Sequence, residues 1–263
     1  MSRKANSRTV STLRNRLQLV STLTLRDLKV NYDRSVLGFA WTLASPMLQL
    51  GVLYVVFHII LKLGGPKYPA YVFIGLLGYG WFQSSAVSSC VAVIRSPELI
   101  LRPEFPRWVL PIIPVTVGAV QFLLALPLAF LLAFIVGAEL HPIMLSLPLI
   151  ALLQALVMLP IAFVAAALNS HYRDVQQIIQ VVTLLFFFLT PIFYSRSDIP
   201  ADLTWIIAIN PMAYIVDAYR AAILGSTLPP VAHLLHALLF VGVGTPLAVW
   251  LYSRLSYRFV EDM

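Results

Sequence analysis

Charge is scarce in this chain. Only 11% of its 263 residues are Asp, Glu, Lys or Arg, against roughly 25% in soluble domains. Cysteine is rarer still: Cys90 alone can form no intrachain disulfide and no cysteine metal cluster, so it reads as a packing residue within an apolar run. No G-x-x-x-x-G-K-S/T loop is present to cradle nucleotide phosphates, so no ATP site is written here. Also missing are H-E-x-x-H, a G-x-S-x-G elbow and any carboxylate pair at working spacing. Asp198, Asp202 and Asp217 stand in aromatic and apolar surroundings without histidines or metal-type spacing, which argues against catalysis. No cleavable leader is evident, because the first long apolar run starts well beyond Met1 and lacks a small-residue cleavage pattern; it is expected to stay as an anchor.

Apolar sequence is abundant instead. Hydrophobic residues make up 60% of the chain and the mean hydropathy is +0.87, which marks an integral membrane protein. A span needs about 20 mostly apolar residues to cross a hydrocarbon core of roughly 30 Å. Six windows qualify: residues 38–61, 71–94, 108–136, 143–168, 175–193 and 231–252. The fold expected is therefore an all-α membrane protein of six transmembrane helices. A shorter apolar patch, residues 203–209, cannot cross and reads as part of a re-entrant helical hairpin dipping in from one side before the last span.

Basic residues are retained in short cytoplasmic loops. With six spans both termini share a face, and of the 18 lysines and arginines all but Lys62, Lys67, Arg196 and Arg220 fall on it. That face is expected to be cytoplasmic. The formal charge of +7 follows from this pattern, together with attraction to anionic headgroups, and calls for no nucleic acid.

Three parts are expected: an N-terminal segment 1–37, a six-span bundle 38–252 and a cytoplasmic tail 253–263. In the first, Leu13, Leu17, Val20 and Leu28 fall on one side of a helix, with Arg26 and Lys29 opposite, as suits a helix lying in the membrane interface. Arg26, Asp27, Lys29, Asp33 and Arg34 run without a flexible linker into the first span, with Trp41 expected at headgroup level. A plain basic leader that only sets topology would look similar.

Between the second and third spans stands RSPELILRPEFPR, residues 95–107, whose charges contrast with the runs around it. Ser96 at a cap, Pro97 at the first position and Glu98 in the first turn predict a short helix that Pro103 ends. Leu99 and Ile100, ringed by Glu98, Arg102 and Glu104, form a plausible docking knob for a soluble partner. The simpler explanation is a solvated connector. The spans are almost free of ionisable residues, whereas ion-coupled carriers place them at mid-membrane. Energy for any transport must then come from a second polypeptide.

Several segments, in order, resemble the ABC-2 export permeases, specifically the membrane subunits that export O-antigen, capsular polysaccharide or teichoic acid. RDLKVNYDRSVLGFAWTLASP (26–46) is similar to that family's interface helix entering the first span, and RSPELILRPEFPR to its coupling helix. NSHYRDV (169–175) and TPIFYSRSDIP (190–200) resemble the turns flanking the fifth span, and NPMAYIVDAYRAAILG (210–225) the external hairpin before the last. The resemblance implies a homodimer in the bacterial inner membrane, paired with two copies of a separate ATP-binding subunit that holds ATP and Mg. Pro97, Glu98, Leu99, Ile100 and Arg102 would dock that ATPase, and Arg26, Asp27, Lys29 and Arg34 would belong to the interface helix.

The resemblance also places the first and fifth spans on the dimer axis. A lipid-linked glycan chain needs a wide path with aromatic faces for sugar C–H groups and small polar groups for hydroxyls. Trp41, Tyr54, Phe57, Phe187 and Tyr194 are the candidates, although rings at these positions also serve packing. In the hairpin, Trp205, Tyr214, Asp217, Tyr219 and Arg220 are candidates for an external gate; Asp217 and Arg220, three apart, are also positioned to pair simply as structure. Two other readings stay open: a drug or small-lipid exporter of the same superfamily, and a membrane scaffold with no conduit.

Overall fold

The computed structural model describes residues 2–33, 38–62, 64–139, 141–226 and 231–256, with side chains except at 2–14, 39, 197, 208 and 231–234. The described residues form helices and turns, with no strand among them. In chain order these are α1 (Ser2–Tyr32), α2 (Trp41–Leu53), α3 (Tyr68–Ala92), α4 (Pro97–Ile100) and α5 (Ile112–Ile135). They continue with α6 (Leu147–Asn169), α7 (Asp174–Leu189), α8 (Thr204–Ile209), α9 (Pro211–Leu224) and α10 (Val231–Ser256). α2 runs on through a π-helical turn, Tyr54–Ile60, closed by a bond from Leu61 N to Val56 O of 3.0 Å. Such five-residue loops recur at functional sites.

Among the described residues four helical stretches are long and apolar enough to cross a membrane: Trp41–Ile60, Arg107–Ile135, Pro142–Asn169 and Leu235–Ser256. Ala201–Ile207 and Pro211–Leu224, bent by 91°, would make a fifth if counted as one broken span. The windows expected at 71–94 and 175–193 fall short for identifiable reasons. α3 is long enough, but Gln83 and serines 84, 85, 88 and 89 dilute its apolar content. α7 has 16 residues, about 24 Å at 1.5 Å per residue. It stops because Thr190 precedes Pro191 and adopts the extended backbone that a following proline demands (φ −85°, ψ 133°).

α3 is the hub, packed by α2, α5, α6, α7 and α9. One face of it carries Trp81, Ser85 and Ser89, one turn apart, and these donate to the carbonyls of Val115, Pro114 and Pro111 at the start of α5 (3.0, 3.3 and 3.5 Å). Gly118 permits this close approach, since a Cβ there would lie 2.4 Å from Trp81 Cδ1. Polar ties to other helices follow the same logic of buried groups finding partners: Gln154 of α6 donates to Gly78 O (2.7 Å), Asn169 to Cys90 O (2.9 Å), and Tyr79 to Thr183 O of α7.

Two apolar cores result. The larger joins α3, α5, α6 and α9. The smaller gathers Leu23 of α1, Val93, Ile100, Val109, Ile113, Phe163 and Tyr252 at the end where the basic segments meet. Tyr252 donates to Arg107 O and Arg107 to Ser256 O, both at 2.8 Å, so the end of α10 is clasped to the start of the stretch Arg107–Ile135.

Candidate functional site

The basic end is a built platform. α1 lies on it through Leu19, Val20, Leu23 and Leu28, with Thr24 bonded to Thr116 of α5 at 2.7 Å. The face differs by part of a turn from the one expected, since Leu17 is exposed while Leu23 and Thr24 are buried; Leu13 has no described side chain. The packed stripe is chosen by what α5 offers, a threonine among apolar residues, which α1's own pattern cannot reveal. Lys29 is exposed, Arg26 pairs with Asp27 at 2.9 Å, and Arg34 lies outside the described residues.

α4 forms where Ser96 and Pro97 place it, with Leu99 N and Ile100 N bonded to Ser96 O. One part of the expected docking knob is overturned. Ile100 is 0% exposed, sunk into the core beneath, and the apolar residue on the surface is Leu101 at 63%. Fully burying such a side chain stabilises by about 1.5–3 kcal/mol, so Ile100 is the peg that fixes α4 to the bundle. Pro97, Glu98, Leu101 and Arg102 are exposed and Leu99 half-buried.

A groove opens beside this platform. A cavity of about 630 Å³ lies between α1, α3 and α5, with Arg26, Asp27, Asn31, Ser84, Ser88, Arg95 and Gln121 on its walls. It shares Ser84, Ser88, Gly118 and Gln121 with a second cavity of about 520 Å³ between α2, α3 and α5, lined also by Trp41, Ser45, Gln49, Trp81 and Gln83. Tyr32 joins the walls, bonding Thr42 of α2 and accepting from Gln121, each at 2.6 Å. Of the path candidates only Trp41 faces this groove. The sequence carries a partial signal for it, in that Ser84, Ser88 and Arg95 recur at helical spacing.

The opposite end is aromatic. Tyr54 stacks on His58 (4.8 Å between centroids) and His58 on Tyr68 (5.5 Å); Phe57 meets Phe193 (4.5 Å), and Phe187 meets Tyr79 (5.5 Å). Within one chain these rings pack on each other. Tyr194 donates to Phe188 O and Leu189 O, both 3.1 Å, capping the last carbonyls of α7. Burial, with a smaller push from Tyr71, raises its phenol above the ordinary range, so it stays a neutral donor.

The hairpin is present as α8 and α9, the latter started by Asn210, whose side chain accepts from Met212 N at 3.0 Å. Trp205 is exposed at 59%, but three other gate candidates are interior: Tyr214, Tyr219 and Arg220 are each no more than 4% exposed. Arg220 donates to Tyr71 O (3.1 Å), Pro191 O (2.6 Å) and Ile192 O (2.7 Å), with its guanidinium 3.4 Å over the Tyr71 ring. Asp217 lies 3.3 Å from Arg220 and 2.7 Å from Arg196 Nε, the latter an ion pair without hydrogen-bond alignment. Gly75 makes the space, because a Cβ there would stand 2.8 Å from Arg220 Nη2. Rather than lining an opening, Arg220 fastens α9 and the turn after α7 to α3. The i, i+3 pair was legible; its carbonyl partners were not, coming from segments 28 to 149 positions away. Among the described residues no group of His, Cys, Asp and Glu is arranged to hold a metal.

Comparison with known proteins bears on this arrangement. Residues 18–224 match the family model described as ABC-2 type transporter. Two Klebsiella pneumoniae proteins, each named O-antigen export system permease protein RfbA, are 30% identical to the chain over 246 and 245 residues, covering 92% of it and 94% of each relative. A protein of the same name from Myxococcus xanthus is 32% identical over 213 residues, covering 80% of this chain and 82% of its own.

Proposed function

The chain belongs to the ABC-2 type transporter family of membrane proteins, and from that premise we propose that it is the permease subunit of an ATP-driven exporter of lipid-linked polysaccharide of the O-antigen type. The observation carrying the substrate is the similarity, along nine-tenths of the chain, to permeases named for O-antigen export. In this reading α2, α3, α5, α6, α7 and α10 are six spans of the bacterial inner membrane, α8 and α9 a re-entrant hairpin on the outer side, and both termini cytoplasmic. α3 is polar for a span because it is enclosed by other helices, where polar groups find partners. The apolar flanks of α2 and α7, which expose Val52, Ile59, Ile60, Val181, Leu184 and Leu185, meet lipid and a second copy of the chain.

Force enters at α4. A separate ATP-binding subunit, carrying ATP and its Mg, seats on Leu99, Leu101 and Arg102, and its closure pushes a four-residue helix pegged by Ile100 into the core shared by α1, α3 and α5. Movement of the docked surface therefore reaches three helices at once. Tyr54, Phe57, Phe187 and Tyr194 then border the outer part of the path between the two copies, where small shifts of stacked rings open space.

The test is photo-crosslinking in cells from a probe at Leu101, with mass spectrometry of the captured protein, beside surface-polysaccharide assays of Leu101→Asp. Capture of a P-loop ATPase, and loss of export with insertion intact, are expected. Capture of lipid alone with normal export would sink the docking assignment.

A further inference from the structure

The walls of the groove at the basic end are chemically sorted in a way that coupling to an ATPase does not require. α3 presents two polar rows. Trp81, Ser85 and Ser89 are consumed by carbonyls of α5. Ser84 and Ser88 instead face the groove; Ser84 donates to Trp81 O of its own helix at 3.1 Å and keeps its oxygen as an acceptor, and Ser88 makes no hydrogen bond with any described residue. Gln121 spends one donor on Tyr32 and keeps its carbonyl oxygen. Polar side chains on helices at membrane depth persist where they border a water-filled or ligand-filled space.

Two arginines stand at the end of this polar row. Arg95 forms no hydrogen bond or ion pair with any described residue. Arg26 uses Nε and Nη2 on a single oxygen of Asp27, at 3.0 and 2.9 Å, which leaves Nη1 unspent. Asp27 offsets one positive charge, so the mouth keeps a net charge of one with two guanidinium groups to aim it. Guanidinium groups bind phosphate oxygens in bidentate, charge-assisted pairs, and phosphate is the common anionic group of membrane lipids. Val30, Val91, Ile113 and Val117 are the branched apolar side chains of the remaining wall, beside Leu110 and Pro114. Beyond Gln121 the groove passes the buried Trp81 and reaches Trp41, which is 47% exposed and whose face suits sugar C–H groups.

We propose that this groove binds the phosphate head of a membrane amphiphile, with Arg26 and Arg95 on the phosphate oxygens, Ser84, Ser88 and Gln121 on an attached hydroxylated group, and the apolar chain against the valine wall. Resting on the exporter reading above, it names where the carrier end of a lipid-linked glycan is held before transport. The ligand class is a lipid phosphate or diphosphate, and the site lies within one subunit between α1, α3 and α5.

Full-length protein in phosphatidylcholine nanodiscs, titrated with a long-chain polyprenyl diphosphate and read by native mass spectrometry, tests it. One lipid retained per chain is expected, weakened about tenfold or more by Arg26→Gln and by Arg95→Gln, only partly by Arg95→Lys, and unchanged by Arg173→Gln. Helix content by circular dichroism checks that each variant is folded. Binding unchanged in both Gln variants overturns the site. Displacement of the lipid by equimolar inorganic diphosphate would make it a soluble-anion site, and equal retention of phosphatidylglycerol a general anionic-lipid site; either result refutes the assignment. Export is scored separately by restoring surface polysaccharide in a deficient strain. A wild-type complex that exports no glycolipid refutes the exporter reading, whereas undiminished export by both Gln variants refutes the groove alone.

Discussion

Replacing Arg220 by methionine removes the fastening of the outer hairpin while keeping side-chain volume. Two carbonyl oxygens outside any helix, of Pro191 and Ile192, lose their donor, while Tyr71 O keeps its bond within α3. A buried group left unpaired costs about 1–3 kcal/mol, so about 2–6 kcal/mol is at stake before compensation. Part is returned because a guanidinium only 3% exposed no longer has to be desolvated. The net loss expected is about 4 kcal/mol, within the roughly 3–5 kcal/mol typical of breaking a buried charged cluster. At about 2–4 °C per kcal/mol for a chain of this size, Tm in detergent falls by roughly 8–16 °C. Arg220→Lys recovers little, since a single ammonium cannot reach three divergent carbonyls as a planar fork does. Gly75→Ala provides the cross-check. Its Cβ would stand 2.8 Å from Arg220 Nη2 and 3.2 Å from Ile192 Cγ2, an overpacking worth about 2 kcal/mol. In the Arg220→Met background only the Ile192 contact remains, so the penalty shrinks to about 1 kcal/mol, a coupling readable in a double-mutant cycle. Equal penalties in both backgrounds, or an unchanged Tm for Arg220→Met, would show that the carbonyl clamp holds nothing together.

Two smaller effects follow from single hydroxyls. Tyr219 OH is buried without a hydrogen-bond partner among the described residues, so Tyr219→Phe is expected to leave Tm unchanged or raise it by a few degrees; a clear drop would reveal an interaction the geometry lacks. Tyr194 serves the turn after α7 only as a neutral donor, and its folded phenol lies above the ordinary value. That contribution is fully present below about pH 10 and disappears as pH rises through the raised value. Limited proteolysis of the 190–200 turn should therefore accelerate above pH 10 in the native protein and show no such step in Tyr194→Phe. A step in the variant as well would assign it to another group.

Much of the helical plan was legible because it depends on local chemistry. Pro97 after Ser96 starts α4 as expected, whereas Thr190 before Pro191 stops α7 and Asn210 before Pro211 opens α9, signals of the same local kind that the apolar windows passed over. These are preferences of a few neighbouring residues, readable in any context. The span count was less secure for the same reason. Hydropathy averages a window without knowing its neighbours, and α3 is the most enclosed of the long helices while carrying four serines and a glutamine, of which Ser85 and Ser89 are satisfied by α5.

By itself, then, the sequence determined a helical membrane protein without an ATP loop, basic on one side, with a short helix in its charged loop and a hairpin before the last apolar stretch. Tertiary structure decided which side of each short element faces inward. Ile100 is a peg and Leu101 the surface residue because α4 settles over Leu23, Val109 and Ile113. Arg220 is a clamp because α9 passes Gly75 just where the turn after α7 turns its carbonyls inward. Ser84 and Ser88 border a groove because the adjoining row, Ser85 and Ser89, is already bound to α5. Each outcome depends on a partner distant in sequence. Burial and hydrogen bonding are properties of pairs, and the pairing is made only when the helices pack.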